Sequence, residues 1–266
     1  MGKFKIIFSD IDGTLLNSSH EVSEKNKESL VLLKKLNIPF VLVSARMPQG
    51  IKKVQKEINV NSPIVCYSGG LVIDSNGKYL ISIGIRIEKA QEIKNYIDGK
   101  WKNVSTSYYS YDKWIADNKK DEWIAQESDI TSVNPIFGKI QDICEKNSVV
   151  HKILCMGDSK VIDEIKDSIS EKYEGLSIYK SKDTYLEIMD VDATKSGAMK
   201  VLCDSFNIKM EDTISIGDNY NDVDMIKAAG NGIAMANAPD EVKRISNELT
   251  SSNDNDGVAE VIYKYF

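Results

Sequence analysis

The chain has 266 residues, of which 42% are hydrophobic and 28% are charged, so it can bury a sizeable core in one large domain or two. Its net charge of -6 argues against nucleic acid or an anionic membrane as the main partner, and no apolar run approaches the roughly 20 residues that a membrane span needs. Four cysteines without a CxxC pair, and a first strand that begins too early for a signal peptide, predict a cytoplasmic protein with reduced thiols.

The first predicted element is a buried strand, Phe4–Phe8, which leads into two carboxylates, Asp10 and Asp12, and then Gly13. Because side chains alternate along an extended chain, residues two apart point to the same side. Two like charges this close are costly unless a cation neutralises them, and oxygen ligands suit Mg²⁺. One carboxylate could then act as a nucleophile and the other as an acid or base. An Asp-Gly turn or a calcium loop is the alternative, although Leu15 stands where a calcium loop needs glycine.

Strands and helices alternate in the next part of the chain. Ser23 is a predicted helix cap, and residues 38–43 and 63–67 are the next two predicted strands. This alternation predicts a parallel sheet with right-handed crossovers, and Asn76-Gly77 predicts a hairpin after the third strand. The second strand stops at Ser44, whose hydroxyl would lie at the edge of the sheet where open α/β sheets bind ligands. A simple helix cap is the alternative role for this hydroxyl.

Residues 85–188 have a different character, typical of an α+β domain inserted into a parallel-sheet domain. The flanking segments, 1–84 and 189–266, would together form a doubly wound, Rossmann-like α/β core. The insert contains all three tryptophans, together with a group of tyrosines: Trp101, Trp114, Trp123, Tyr108, Tyr109 and Tyr111. These side chains could line a substrate pocket or fill the core of a small sheet, and the sequence leaves both roles open.

The parallel pattern returns at Lys195, in the first turn of a predicted helix. A cation opposes the helix dipole at that position, so Lys195 predicts an anion nearby, although a solvated surface lysine is the ordinary alternative. The predicted strand Thr213–Gly217 ends in the acidic loop Asp218–Asp222, and Gly232–Ala236 is the last predicted core strand. A helix cap would explain one acid of this loop, not the whole cluster.

Four loops thus lie where a strand of the predicted sheet ends or where a helix beside it begins. They are the loops at Asp10, at Ser44, at Lys195 and at Asp218–Asp222. In a doubly wound fold these positions converge on one edge of the sheet. A carboxylate pair, a hydroxyl, a cation and a second acidic group at one edge describe a site for Mg²⁺ and a phosphoryl group.

The order and spacing of these loops resemble the motifs of the haloacid dehalogenase superfamily, and more closely its Cof-like branch with a type IIB cap. The residues that carry the resemblance are Asp10–Thr14, Val43–Arg46, Gly217–Asp222, Gly232–Ala238 and Asp256–Ala259. Two positions depart from the family pattern. Ser68-Gly69-Gly70 stands where Asn-Gly-Ala is usual, which affects one polar contact of the site, and Ser196 stands where glycine is usual, which affects the local backbone.

The resemblance implies that Asp10 attacks phosphorus to form an aspartyl phosphate, while Asp12 protonates the leaving oxygen and then activates water. It also implies a division of the other roles. Mg²⁺ would be held by the Asp10 carboxylate, the Asp12 backbone carbonyl and Asp218. The phosphoryl oxygens would be bound by Ser44, Lys195 and Asn221. Supporting roles would fall to Thr14, Arg46 and Asp222.

The expected function is therefore that of a Mg²⁺-dependent phosphatase for sugar phosphates or similar small phosphomonoesters. By the same resemblance, the insert would be a mobile cap that excludes water and selects the substrate, with hinges at Gly84 and residues 190–192. A phosphomutase of the same superfamily and a non-catalytic phosphometabolite-binding protein are the alternatives. A P-loop kinase or NTPase is disfavoured because the chain has no G-x-x-x-x-G-K-[ST] motif. The sequence leaves the oligomeric state and the identity of the phosphorylated substrate open.

Overall fold

The computed structural model describes residues 3–266, which form two compact units. The core unit, as we name it, combines the N-terminal part of the chain through Arg46 with Ile51–Ile81 and Thr194–Phe266. The insert unit comprises Met47–Gly50 and Ser82–Ala193. Within the described residues, every helix is too short or too polar to span a membrane.

The strands of the described residues are numbered in chain order. They are β1 (Ile6–Asp10), β2 (Phe40–Val43), β3 (Ile64–Cys66), β4 (Leu71–Ile73), β5 (Tyr79–Ser82), β6 (Ile85–Arg86), β7 (Ser105–Ser110), β8 (Lys113–Ala116), β9 (Ile136–Phe137), β10 (Val149–Val150), β11 (Lys152–Met156), β12 (Leu176–Lys182), β13 (Tyr185–Asp190), β14 (Thr213–Gly217), β15 (Asn231–Met235) and β16 (Glu248–Thr250).

The α-helices of the same residues are numbered in the same way. They are α1 (Glu24–Leu36), α2 (Pro48–Glu57), α3 (Ile87–Lys100), α4 (Glu122–Thr131), α5 (Ile140–Ile143), α6 (Ser159–Lys172), α7 (Lys195–Phe206), α8 (Val223–Ala228), α9 (Asp240–Ile245) and α10 (Gly257–Tyr265). Ser23 caps α1 as predicted, because its side chain accepts a hydrogen bond from the backbone N–H of Asn26.

The core unit contains an eight-stranded sheet with the order β16-β15-β14-β1-β2-β3-β4-β5. The strands from β16 to β3 pair in parallel, and β4 runs antiparallel to β3. The prediction of a doubly wound α/β core is confirmed by this sheet and by the helices between its strands. The sequence did not predict β16, because this strand has three residues and its one large apolar side chain, Leu249, is 54% exposed.

Strand β1 lies in the middle of this sheet because its residues are apolar on both faces. Ile6, Ile7 and Phe8 are all fully buried, as is typical of a strand covered by helices on both sides. Ile6 and Phe8 pack against residues of α7 and α8, and α1 packs against α10 elsewhere in the unit. The chain therefore leaves the centre of the sheet at Asp10, the last residue of β1.

The insert unit has a six-stranded sheet with the order β12-β13-β11-β7-β8-β9 and a separate pair, β10 with β6. Helices α3 and α6 contribute a row of buried isoleucines to its core: Ile93, Ile97, Ile162, Ile165 and Ile169. The chain order of the larger elements agrees with the predicted α+β pattern. The strands β6 and β9 were not predicted, since two residues each are too few to give a periodic signal.

The predicted strand from Val149 to Met156 is divided by His151, whose side chain is fully buried. Its ring Nδ1 accepts a hydrogen bond from the backbone N–H of Tyr111 at 3.1 Å, and its Nε2 lies 3.2 Å from Ser82 Oγ. Because Nδ1 acts as an acceptor, the ring is neutral and Nε2 carries the proton. Burial lowers the pKa of His151 from its usual 6.5 to about 4.

This buried neutral histidine should make the fold sensitive to acid. The unfolded chain takes up a proton at His151 below about pH 6.5, whereas the folded chain resists protonation down to about pH 4. The free energy of unfolding should therefore fall by about 3 kcal/mol from this group alone as the pH drops from 7 to 4. Urea unfolding across this range would measure the loss. In His151→Asn, whose side chain cannot titrate, the decline should be shallower, and an identical decline in both proteins would contradict the assignment.

Candidate active site

The predicted site residues lie at the carboxyl ends of the central strands of the core unit. Asp10 ends β1, Ser44 directly follows β2, and Asp218 directly follows β14, while α7 begins with Lys195. These strands are neighbours in the order β14-β1-β2. The structure thus brings together, at one edge of one sheet, residues that are up to 208 positions apart in the chain.

Lys195 is the cation of this cluster, and its side chain is fully buried. Its Nζ donates to Asp10 Oδ1 at 2.5 Å and to Asp222 Oδ1 at 2.5 Å. Burial by itself lowers the pKa of Lys195, but the carboxylates of Asp10 and Asp222 more than offset it, so the pKa lies above its usual value. Lys195 is therefore charged at neutral pH. The solvated surface lysine, which the sequence left open, is wrong.

Asp222 anchors both Lys195 and the acidic loop. Its side chain is fully buried, and its Oδ2 accepts hydrogen bonds from the backbone N–H groups of Asp218 and Asn219 at 2.9 and 3.0 Å. Its other oxygen is occupied by Lys195. The sequence signal for this arrangement is a capping box, in which Asn219 and the acid three residues later bind each other's backbone.

Asp218 lies against the turn that follows the first carboxylate pair. Its Oδ1 accepts a 2.6 Å hydrogen bond from the hydroxyl of Thr14, which is itself fully buried. Burial is the main reason why the pKa of Asp218 is raised to about 6, with Thr14 opposing the rise and Asp222 adding to it. Gly13 has a φ of +82°, and a Cβ there would lie 2.4 Å from Asp218 Oδ2. Glycine is therefore required at this turn for both its backbone conformation and its size.

Three carboxylates of this site, those of Asp10, Asp218 and Asp222, offer oxygen atoms within 4.8 Å of one another. Burial raises the pKa of Asp10 well above its usual value, and the neighbouring charges of Asp222 and Asp218 raise it further against the opposing effect of Lys195. Two buried carboxylates, one partly buried carboxylate and one ammonium leave an excess of negative charge, which a hard divalent cation would neutralise. Because both oxygens of Asp222 are already bonded, Asp10 and Asp218 are the carboxylates that fit Mg²⁺.

Asp12 has a different environment from Asp10. Its carboxylate is exposed and accepts two hydrogen bonds from Arg46, one from Nε at 2.8 Å and one from Nη2 at 2.5 Å. Strand β1 ends at Asp10, and the two aspartates that close and follow it have different partners, Lys195 for Asp10 and Arg46 for Asp12. The contrast still suits a division of labour between two carboxylates, one buried beside a lysine and one accessible.

Ser44 and Asn221, the other predicted phosphate ligands, lie in loops of the same sheet edge. Ser44 is 2% exposed, and its Oγ accepts a 3.2 Å hydrogen bond from the backbone N–H of Arg46, so it caps a turn in this state. Asn221 is partly buried within the short 3₁₀ turn Tyr220–Asp222. Within residues 3–266, the hydrogen bonds described for the site do not include the side chain of Asn221.

A strained loop between β3 and β4 joins two parts of the site; the sequence marked it as a departure from the family pattern but did not reveal its backbone strain. Tyr67, Ser68 and Gly69 have φ angles of 52°, 51° and 110°. Ser68 donates its backbone N–H to the Ser44 carbonyl at 3.0 Å, and Gly69 packs so tightly on Thr194 that a Cβ would lie 2.0 Å from the carbonyl oxygen. The hydroxyl of Ser68 is buried and has no hydrogen-bond partner among residues 3–266. The signal was present in the glycines of Ser68-Gly69-Gly70, but two positive φ angles before Gly69 could not be inferred.

Comparison with known proteins agrees with this geometry. A model of the haloacid dehalogenase-like hydrolase family matches residues 7–262. This chain belongs to the haloacid dehalogenase-like hydrolases. The family match covers both the core unit and the insert unit, including every residue of the site described above.

Individual haloacid dehalogenase-like hydrolases and their relatives are similar over almost the whole chain. A Haemophilus influenzae protein named "Putative phosphatase" is 34% identical over 99% of this chain and 98% of its own length. The 5-amino-6-(5-phospho-D-ribitylamino)uracil phosphatase YwtE of Bacillus subtilis is 27% identical over 96% of each chain. The crystal structure of a haloacid dehalogenase-like hydrolase from Bacteroides thetaiotaomicron is 28% identical, with a TM-score of 0.88 over 99% of this chain and all of the other.

Proposed function

We propose that this protein is a Mg²⁺-dependent phosphatase that hydrolyses small phosphomonoesters, such as sugar phosphates, through an aspartyl phosphate on Asp10. The observation that carries the proposal is the cluster in which Lys195 contacts Asp10 and Asp222 while Asp218 faces the same space. Phosphoryl transfer requires a nucleophile, a positive charge near the phosphoryl oxygens and carboxylates that can hold a metal ion. This cluster contains all three. The names of the two relatives above support a phosphatase rather than another hydrolase.

The metal would be held by the carboxylates of Asp10 and Asp218 and the backbone carbonyl of Asp12. When bound, Mg²⁺ would neutralise charge on the transferred phosphoryl group and on the acidic cluster. Lys195 favours the ionised form of Asp10 and orients its carboxylate, since its Nζ donates directly to Asp10 Oδ1. Lys195, Ser44 and Asn221 are the proposed contacts of the phosphoryl oxygens.

In the proposed reaction, a carboxylate oxygen of Asp10 forms a bond to phosphorus as the bond to the leaving oxygen breaks. Asp12 gives a proton to that oxygen, and the alcohol departs. Water then attacks the aspartyl phosphate, Asp12 takes its proton, and inorganic phosphate and free Asp10 are released. The exposed position of Asp12 suits this exchange of protons with a leaving group and with water, and Arg46 holds its carboxylate in place.

Replacing Asp12 by alanine should lower turnover more than it lowers metal affinity. The proposed metal contact of Asp12 is its backbone carbonyl, which the substitution keeps, whereas proton transfer by the side chain is typically worth 10²–10⁴-fold in rate. Single-turnover kinetics at saturating Mg²⁺, combined with a Mg²⁺ titration, would separate the two effects. Normal single-turnover chemistry together with a collapse of metal affinity would contradict this division of roles.

We propose that the insert, residues 85–188, is the cap, and that it selects the substrate without supplying catalytic groups. This is supported by the position of every proposed catalytic residue outside that range. Gly84 and residues 190–192 are the proposed hinges. Gly84 also has a packing role, because a Cβ there would lie 2.7 Å from the carbonyl oxygen of Val150 within the insert unit.

The two possible roles of the aromatic residues in the insert, substrate contact and core packing, can be tested at Tyr108. Tyr108 is 3% exposed and belongs to the hydrophobic core of the insert unit, which supports the core-filling alternative for this residue. Tyr108→Ala should therefore destabilise the protein by about 3–5 kcal/mol, as truncation of a buried aromatic residue does. It should also depress activity on all substrates together. Melting temperatures and the ranking of substrates by kcat/KM would be measured. A changed ranking at unchanged stability would instead assign Tyr108 to substrate contact.

The experiment that tests the proposed function is a panel of phosphorylated metabolites assayed with and without Mg²⁺. Release of inorganic phosphate is expected from several small phosphomonoesters, and chelation of the metal should abolish it. Formation of an isomeric phosphate ester without release of phosphate would identify a phosphomutase. Binding without turnover would identify a non-catalytic phosphometabolite-binding protein.

A further inference from the structure

Three asparagine side chains bind the turn that follows Asp12. Asn237 Nδ2 donates to the Gly13 carbonyl at 2.8 Å, Asn26 Nδ2 donates to the Leu15 carbonyl at 3.4 Å, and Asn253 Nδ2 donates to the Leu16 carbonyl at 2.9 Å. Three of the four carbonyl groups between residues 13 and 16 are thus held by amide side chains. None of the roles assigned above uses these asparagines.

The opposite ends of two of these amides are fixed by the C-terminal part of the chain. Asn237 Oδ1 accepts from the backbone N–H of Asn253 at 3.1 Å, and Asn26 Oδ1 accepts from the backbone N–H of Ala259 at 2.9 Å. Each of these two amides therefore donates at one end and accepts at the other, which uses both functions of the asparagine side chain. Together they connect the turn after Asp12 to the segment from Asn237 to Ala259.

Asn237 acts at the part of this turn that lies closest to the proposed metal ligands. The Gly13 carbonyl that it binds belongs to the peptide between Gly13 and Thr14. The hydroxyl of Thr14 donates a hydrogen bond to the Asp218 carboxylate. The backbone of Gly13 packs directly against the same carboxylate, so that a side chain at Gly13 would not fit. The position of this one peptide therefore sets where Asp218 and the neighbouring Asp12 carbonyl can lie.

We propose that Asn237 is a positioning residue for the Mg²⁺ site, acting through the Gly13–Thr14 peptide on Asp218 and the Asp12 carbonyl. The inference rests on the proposed function, because it assigns a role toward the metal of that site. Asn237 itself is exposed, so its removal takes little apolar surface out of the core. Its effect on the metal site can therefore be separated from an effect on folding.

The test is the Mg²⁺ affinity of the substrate-free protein, measured by calorimetry for the wild type and for Asn237→Leu. Residues that orient metal ligands typically change affinity by 10–100-fold, and for this indirect contact we expect a loss of about 10-fold. Melting temperatures without Mg²⁺ should change little. Asn237→Ser provides a second variant without an added apolar side chain and should show the same loss.

Asn247→Leu is the matched control. Asn247 is also an exposed asparagine, and its Oδ1 accepts from the backbone N–H of Gly232 at 2.9 Å. Within residues 3–266, its described hydrogen bonds are to Gly232 rather than to the turn after Asp12. Its Mg²⁺ affinity should equal that of the wild type. In a double-mutant cycle, Asn237→Leu and Thr14→Val should be less than additive because both act on Asp218 through one peptide, whereas Asn247→Leu and Thr14→Val should be additive.

The possible failures are distinguishable. If the wild type binds Mg²⁺ and both Asn237 variants bind it equally well, the positioning role is overturned while the proposed function stands. If Asn237→Leu and Asn247→Leu weaken Mg²⁺ binding to the same extent, the effect is a general one and the role is again overturned. If the wild type neither binds Mg²⁺ nor releases phosphate from any ester, the proposed function fails and this inference fails with it.

Discussion

Replacing Asp10 by asparagine should lower kcat on phosphomonoesters by about 10³-fold or more. The substitution preserves the size of the side chain but removes the proposed nucleophile and one charge of the proposed metal site. It should not lower the stability of the metal-free protein, because burial and the charges of Asp222 and Asp218 already raise the pKa of Asp10 well above its usual value. Initial rates with an aryl phosphate, together with urea unfolding in the presence of a chelator, would measure both effects.

Asp212→Asn is a suitable control for this experiment. Asp212 also belongs to the core unit, but its partner is Lys5 in a surface ion pair at 2.6 Å. Loss of this ion pair in Asp212→Asn should leave kcat unchanged and alter the free energy of unfolding by less than about 1 kcal/mol. Turnover by Asp10→Asn close to that of the wild type would remove Asp10 from the role of nucleophile.

Replacing Lys195 by methionine should damage both activity and stability. The buried carboxylates of Asp10 and Asp222 would lose their shared cation, and breaking a buried ion pair from one side typically costs 3–5 kcal/mol. Loss of a positioned donor to the reacting phosphoryl group typically costs about 10²–10³-fold in kcat. Urea unfolding at pH 7.5 and kinetics on one substrate would measure these two losses.

The pH dependence of Lys195→Met adds a second readout. Lys195 lowers the pKa of Asp10, so its removal should raise that pKa further. A carboxyl group with a raised pKa in the folded state contributes more favourably to stability as the pH falls and the group becomes protonated. The stability deficit of Lys195→Met should therefore shrink between pH 7.5 and 5.5. Lys209→Met, which removes an exposed lysine, should show neither the deficit nor its pH dependence, and a constant deficit across this range would contradict the argument.

The sequence predicted the parts of the fold that depend on long apolar runs. The buried run at the start of the chain placed β1 correctly, and the same reasoning found β2, β3, β14 and β15. Besides the short length of the missed strands, the failures involve contacts with other segments of the chain. Strand β16 forms by pairing along β15, and the strand at residues 149–156 is divided because the His151 ring is buried among partners from other segments.

The candidate site was also predictable only in part. Residue types and spacing were enough to predict that Asp10, Lys195 and Asp218 lie near one another, because parallel strands bring their carboxyl ends together. The individual hydrogen bonds could not be predicted. The pairing of Asp12 with Arg46, the use of both Asp222 oxygens and the strained loop at Ser68 all depend on side-chain and backbone angles set by packing.

The position of β1 in the middle of the sheet has a consequence for synthesis on the ribosome. Its partner on one side, β2, emerges within about 35 residues, whereas its partner on the other side, β14, begins at Thr213. All strands of the insert unit are made before β14, so that unit can complete its sheet while one edge of β1 is still unpaired. An apolar strand with an open edge is prone to pair with other chains. We therefore expect nascent chains that end before residue 213 to depend on chaperones, and expression at lower temperature to increase the soluble yield of the full-length protein.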